Sequence, residues 1–261
     1  MAAIMKLVRN PVKYLQRFRN LLLQHCTGLF QHTGFFLQGQ MDIHPRAHWT
    51  TGVVSETGGF SPPGERRTVF DLDAWDNVRR DMLALLLREI LLQRVPGAFA
   101  ELGVYKGSTA RLFHHYAPER PLHLFDTFEG FTNRSNLEEL NAVGWGARAL
   151  SDTSLEGVRR FVAPQNDNVV FHKGFFPESV PSTLQAESFA FVHLDADLYA
   201  PILDGLNFFY PRLSRRGMIV VHDYSSWSGP YRAVNEFLRD KAESAVPMPD
   251  KNGSVVIVKQ Q

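Results

Sequence analysis

Between residues 98 and 241 short apolar runs alternate with stretches of helical periodicity, a pattern that few folds accept. The runs at 98–102, 122–125, 169–171, 189–194 and 218–221 have the length of strands buried on both faces. Helical segments lie around 108–116, 155–161, 202–210 and 231–241. Such alternation predicts an α/β fold, a doubly wound, mostly parallel sheet with helices on both faces. Upstream, Val78, Met82, Leu85, Leu86, Ile90 and Leu91 recur at helical spacing until Pro96 and Gly97 stop them, so a helix should dock on the sheet. At the other end, Asp250 to Gly253 is a turn signal before the apolar run Val255 to Val258. The last elements should therefore form an antiparallel hairpin that closes five parallel strands with a reversed one.

The chain divides at about residue 75, with residues 76–261 as the ligand-binding domain. Within 1–75, Tyr14, Leu15, Phe18, Leu21 and Leu22 recur at helical spacing beside Lys6, Arg9, Lys13, Arg17 and Arg19. We read a helix that packs on protein or on a second copy in a homo-oligomer, with membrane-surface contact the lesser alternative. From residue 38 to 71 periodicity vanishes and Gly52, Gly58, Gly59, Pro62, Pro63 and Gly64 accumulate, as in a loop that covers an acceptor or a plain linker. With 44% hydrophobic and 21% charged residues the chain should fold, and a net charge of +1 argues against nucleic acid as a partner. The lone Cys26 excludes an internal disulfide framework and suits a reducing, cytoplasmic setting.

The residues that carry chemistry sit where strands end. The first strand runs into Glu101-Leu-Gly-Val-Tyr-Lys-Gly-Ser108, so Gly103, Tyr105, Gly107 and Ser108 form a strand-to-helix turn open to a nucleotide-like ligand. Its spacing is G-x-x-x-G, unlike the G-x-G-x-x-G of dinucleotide sites. Asp126 ends the second strand, placed to accept ribose hydroxyls of NAD or of S-adenosylmethionine alike. After the third strand, Gly174 and Phe175 are candidate adenine neighbours. The fourth strand ends at Asp195 and Asp197 and the fifth at His222 and Asp223. Carboxylates converging in this way repel one another unless a cation or a proton intervenes.

These blocks resemble the macrocin O-methyltransferase family (TylF/MycF), which methylates sugar hydroxyls of antibiotics and related metabolites. The resemblance covers roughly Asp76 to Asp240 and rests on AFAELGVYKGSTA, LFDTFEGF, VVFHKGFFPESVP, HLDADLYAPILDGL, YPRLSRRGMIVVHDY and YRAVNEFL. It implies a class I methyltransferase fold, S-adenosylmethionine as donor, and Mg2+ or another divalent cation that holds the acceptor. By position it puts Glu101 and Gly103 beside the methionine end of the donor and Asp126 on its ribose. Asp195 and Asp223 would be metal ligands, with His222 beside them where many relatives carry Asp, and Asp197 would be the base. The expected function is O-methylation of a hydroxyl on a small molecule or glycan, with a sugar foremost. Two other classes stay open on the residues: an NAD-dependent sugar-modifying oxidoreductase, and a non-catalytic module that binds adenosylmethionine. His114, His115, His172 and His193 have no partner at metal spacing on their own elements and read as packed or surface histidines.

Overall fold

The computed structural model describes residues 76–260 apart from 133, 143, 166 and 167; the expected N-terminal helix and the 38–71 loop lie outside the described residues. Helix α1 (Asn77–Leu92) starts where the Asp76 carboxylate accepts the Arg79 N–H at 3.0 Å. The same carboxylate accepts the Lys251 N–H at 2.9 Å, which ties α1 to the C-terminal turn.

Strands β1 (Ala98–Leu102), β2 (Leu122–Asp126), β3 (Val169–Lys173), β4 (Phe189–Leu194) and β5 (Leu213–Val221) are parallel neighbours. With β6 (Ala245–Pro247) and β7 (Val255–Val258) they form one sheet in the order β3-β2-β1-β4-β5-β7-β6. β7 runs antiparallel to both β5 and β6, so the expected reversed strand and hairpin are present. Successive residues of β1 face opposite ways. Phe99 joins the core under α1, α2 (Ser108–Tyr116) and α4 (Leu155–Val162), whereas Ala98, Ala100 and Leu102 join the core under α5 (Tyr199–Arg212) and α6 (Ser228–Leu238). Phe191 packs edge-on against Phe99 and Phe113 at ring separations of 5.9 and 5.3 Å. Burial of each such ring is worth about 1.5–3 kcal/mol.

Element bounds depart from the sequence pattern where polar residues or prolines mask it. β5 begins at Leu213 because its exposed polar stretch Ser214–Arg216 still extends the strand. α6 begins at Ser228, with Pro230 in its first turn, where a missing N–H costs nothing. A short helix α3 (Leu137–Ala142) and a 3-10 turn (Ser182–Ala186) carried no clear period and were not expected. Among the described residues no helix is long and apolar enough to cross a membrane. The chain crosses from β3 at one edge back over β1 to β4, so the carboxyl ends of β1 and β4 flank the switch point where an open sheet offers a crevice.

Candidate active site

A cavity of about 340 Å³ opens at that switch point. Gly103, Tyr105, Asp126, Gly174, Phe175, Asp195 and Asp197 all line it, so seven of the residues singled out by sequence face one space. Gly103 has φ +86°, and a Cβ there would lie 2.0 Å from the Asp195 carbonyl oxygen. Only glycine lets the β1 turn pass so close to the β4 loop. Asp126 then clamps the turn: Oδ2 accepts from the N–H groups of Val104 at 2.7 Å and Tyr105 at 2.9 Å, and Oδ1 accepts from Phe128 at 2.6 Å. The Gly174 N–H donates to the Asp126 carbonyl at 2.9 Å, which brings the β3 loop alongside, and the Arg134 guanidinium lies 4.1 Å from the Phe175 ring centre.

Glu101, Gly107, Ser108, His222 and Asp223 do not reach the cavity wall. Alternation along β1 turns Glu101 to the same face as Phe99, under α2. There it is fully buried, accepts a hydrogen bond from the Thr109 hydroxyl and lies 2.9 Å from His193 Nδ1. Burial raises its pKa against the opposing pull of His193. The resemblance implies that this carboxylate lies beside the donor; its side chain lies behind the turn, bonded to Thr109 of α2. Gly107 caps α2 at φ +85° and Ser108 opens that helix. Most of the remaining wall comes from the segment between β2 and α4, including Gly130, Phe131, Arg134, Glu139 and Leu150. Its ends are drawn together where Phe131 N–H donates to Ala149 and Arg148 N–H to Phe131, each at 3.0 Å. Glu139 accepts the Tyr199 N–H at 2.9 Å and so caps α5. Beyond the block LFDTFEGF, which ends at Phe131, sequence reading passed over this segment, where the glycines at 144 and 146 were the visible signal.

The acidic edge is assembled by the sheet itself. The Asp195 N–H donates to Leu102 at 2.8 Å and the His222 N–H to Leu194 at 2.9 Å, so the ladder runs past the strand ends and sets β1, β4 and β5 in step. Asp197 and Asp223 hold left-handed backbone conformations, φ +61° and +59°, a strain that clusters at functional sites. Asp197 is buried; that burial, with the charges of Asp195 and Asp223, raises its pKa well above the usual carboxylate range. Burial opposes charge on Asp195 too, but His222 and Arg79 outweigh it and hold that carboxyl well below the range. For His222, burial opposes charge while Asp195 and Asp223 more than reverse it and raise the pKa.

Asp195, His222 and Asp223 present ligand atoms within 4.8 Å of one another, the one such group among the described residues. Proximity suits a divalent ion, but the donor chemistry does not. His222 Nδ1 stands 2.9 Å from Asp195 Oδ1 and 3.3 Å from Asp223 Oδ2, filling the space in which the two carboxylates would share a cation. Arg79 Nη1 lies 3.2 Å from Asp195 Oδ2. Magnesium demands oxygen ligands near octahedral geometry, and here the oxygens of Asp195 already accept from nitrogen donors. The expected metal set thus holds together as a hydrogen-bonded cluster, and no step below passes through a metal.

A sequence profile described as Macrocin-O-methyltransferase (TylF) matches residues 74–256. The mycinamicin III 3''-O-methyltransferase of Micromonospora griseorubida is 30% identical over 203 residues, spanning 70% of this chain and 78% of that one. A Streptomyces olivaceus enzyme, 8-demethyl-8-(2,3-dimethoxy-alpha-L-rhamnosyl)-tetracenomycin-C 4'-O-methyltransferase, is 29% identical over 165 residues, 56% of this chain and 60% of that one. Among solved structures the O-methyltransferase NovP superposes with a TM-score of 0.62 at 22% identity, covering 71% of this chain and 81% of that one, which bears on the fold.

Proposed function

The chain belongs to the macrocin O-methyltransferase (TylF) family, and from that premise we propose that it methylates a sugar hydroxyl on a small molecule or glycan, with Asp197 as the base. As a member of a methyltransferase family it is an O-methyltransferase that takes its methyl group from S-adenosylmethionine, and the NAD-dependent alternative gives way. One observation carries the reading. The glycine turn with Asp126 and the carboxylate of Asp197 line the same cavity, so donor and base face one acceptor.

Methyl transfer from a sulfonium is an in-line displacement: the acceptor oxygen forms a bond to the methyl carbon as the carbon–sulfur bond breaks, and the hydroxyl proton passes to Asp197. Gly103, Asp126, Gly174 and Phe175 hold the donor, and the protein contributes by fixing oxygen, carbon and sulfur in line. A carboxylate with a raised pKa is the better proton acceptor once ionised. The sugar as acceptor is supported by the rhamnosyl group in one relative's name. To the same reading belongs a cytoplasmic location.

The test is incubation with methyl-labelled S-adenosylmethionine and a panel of deoxysugar glycosides bearing free vicinal hydroxyls, with phenols as the contrast. Label on a sugar oxygen, located by mass spectrometry, is the expected result. Label on phenols alone would overturn the sugar assignment and leave the enzyme class standing.

A further inference from the structure

Arg79 of α1 reaches the acidic cluster with its guanidinium, beside Asp195 and His222. Nη1 lies 3.2 Å from Asp195 Oδ2 and 3.2 Å from His222 Nε2. A guanidinium stays charged and only donates, so a neutral His222 must accept at Nε2 and carry its proton on Nδ1. That proton faces Asp195 Oδ1 at 2.9 Å and Asp223 Oδ2 at 3.3 Å. Protonating the ring as well removes the last lone pair rather than freeing one, so in either state His222 offers no nitrogen to a metal. Of the oxygens on the two carboxylates, Asp223 Oδ1 alone has no hydrogen-bond partner. One such oxygen does not compete with the water shell of a divalent ion, which parts with its waters reluctantly.

From this arrangement we infer that Arg79, by its charge, and His222, by the proton on Nδ1, supply from within the chain what Asp195 and Asp223 would otherwise draw from a metal, and that the site does not take up a divalent cation. Arg79 is then a positioning residue: it fixes the His222 tautomer and the Asp195 carboxylate beside the base. The inference deepens the proposed function because it concerns the same edge of the cavity. Metal binding needs no acceptor, however, so it can be tested without one.

The full-length protein is titrated with Mn2+ and free ion is followed by electron paramagnetic resonance. The parent should show no saturable site tighter than about millimolar. Arg79→Met combined with His222→Asp removes the guanidinium and the imidazole and adds a carboxylate to Asp195, Asp197 and Asp223, and should bind Mn2+ about tenfold tighter or more, because affinity follows ligand charge. Arg79→Lys alone keeps the charge and should bind no better than the parent. Micromolar binding by the parent that disappears in Asp195→Asn would overturn the inference, as would equal affinity in parent and double variant. If the double variant fails to fold, the parent and Asp195→Asn decide by themselves. Where a glycoside acceptor is found, methyl transfer should persist in excess chelator; loss restored by magnesium would overturn the inference while upholding the proposed function.

Discussion

The two sides of the cavity are built from different materials. The side proposed to hold the donor is made of backbone: a glycine that admits a close approach, a turn whose N–H groups are gathered by Asp126, and a β3 loop hung from the same residue. The acidic side is made of side-chain charge: Asp195, Asp197, His222 and Asp223 meet at the ends of β4 and β5 and are balanced by Arg79 from α1. Backbone geometry tolerates few substitutions at any pH, whereas a charge cluster can be rebalanced by exchanging one ion for another. The donor side should thus respond to changes of shape and the acidic side to changes of charge.

The largest contrast is expected from Asp197→Asn. Methyl transfer should fall about 10²–10⁴-fold, the usual contribution of a positioned base, while donor affinity measured by calorimetry stays near that of the parent. An equal loss in both would mean that the two sides are not separable. In the parent the rate should climb with pH through a value above the usual carboxylate range, because burial, Asp195 and Asp223 raise the Asp197 pKa and only its ionised form accepts a proton. Gly103→Ala is a change of shape alone. A Cβ 2.0 Å from the Asp195 carbonyl oxygen at φ +86° should cost about 2–4 kcal/mol in urea denaturation, from left-handed strain plus overpacking. A midpoint unchanged from the parent would show that the turn and the β4 loop can part freely.

Asp126→Ala should weaken adenosylmethionine binding by about 1–3 kcal/mol, since the turn's N–H groups and a ribose hydroxyl lose a charged acceptor together. Unchanged affinity would limit this carboxylate to local structure. The smallest effect concerns a histidine pair in the sheet, away from the cavity wall. His123 and His172 lie 3.1 Å apart on β2 and β3, and burial, then His172, lowers the His123 pKa from 6.5 to about 4. A histidine held neutral contributes stability that is complete above pH 6.5 and lost as the pH falls toward 4. Melting temperatures between pH 7 and 4 should therefore decline less steeply in His123→Phe. An identical slope would place the acid sensitivity elsewhere.

Much of the fold was legible because its signals are local. The limits of β1, α2 and β4 coincide with those read from the sequence at 98–102, 108–116 and 189–194. The wall-forming segment between β2 and α4 was not legible, since Phe131, Glu139 and Leu150 reach the cavity through a loop without period. Glu101 was visible as a buried acid at a strand end, but whether it faced the donor or α2 depended on strand alternation, which the sheet's setting decides.

By itself the sequence determined the succession of the strands, the glycine turn, and the acids at the ends of β2, β4 and β5. Each follows from residues adjacent along the chain, where backbone stiffness and side-chain spacing act directly. The tertiary structure alone decided how those acids are neutralised. Arg79 precedes Asp195 by 116 residues and His222 by 143. No local pattern marks one arginine of an amphipathic helix as the counter-ion of a distant cluster. Coulomb attraction acts through space, so the choice of partner was settled only when the sheet brought the ends of β4 and β5 under α1.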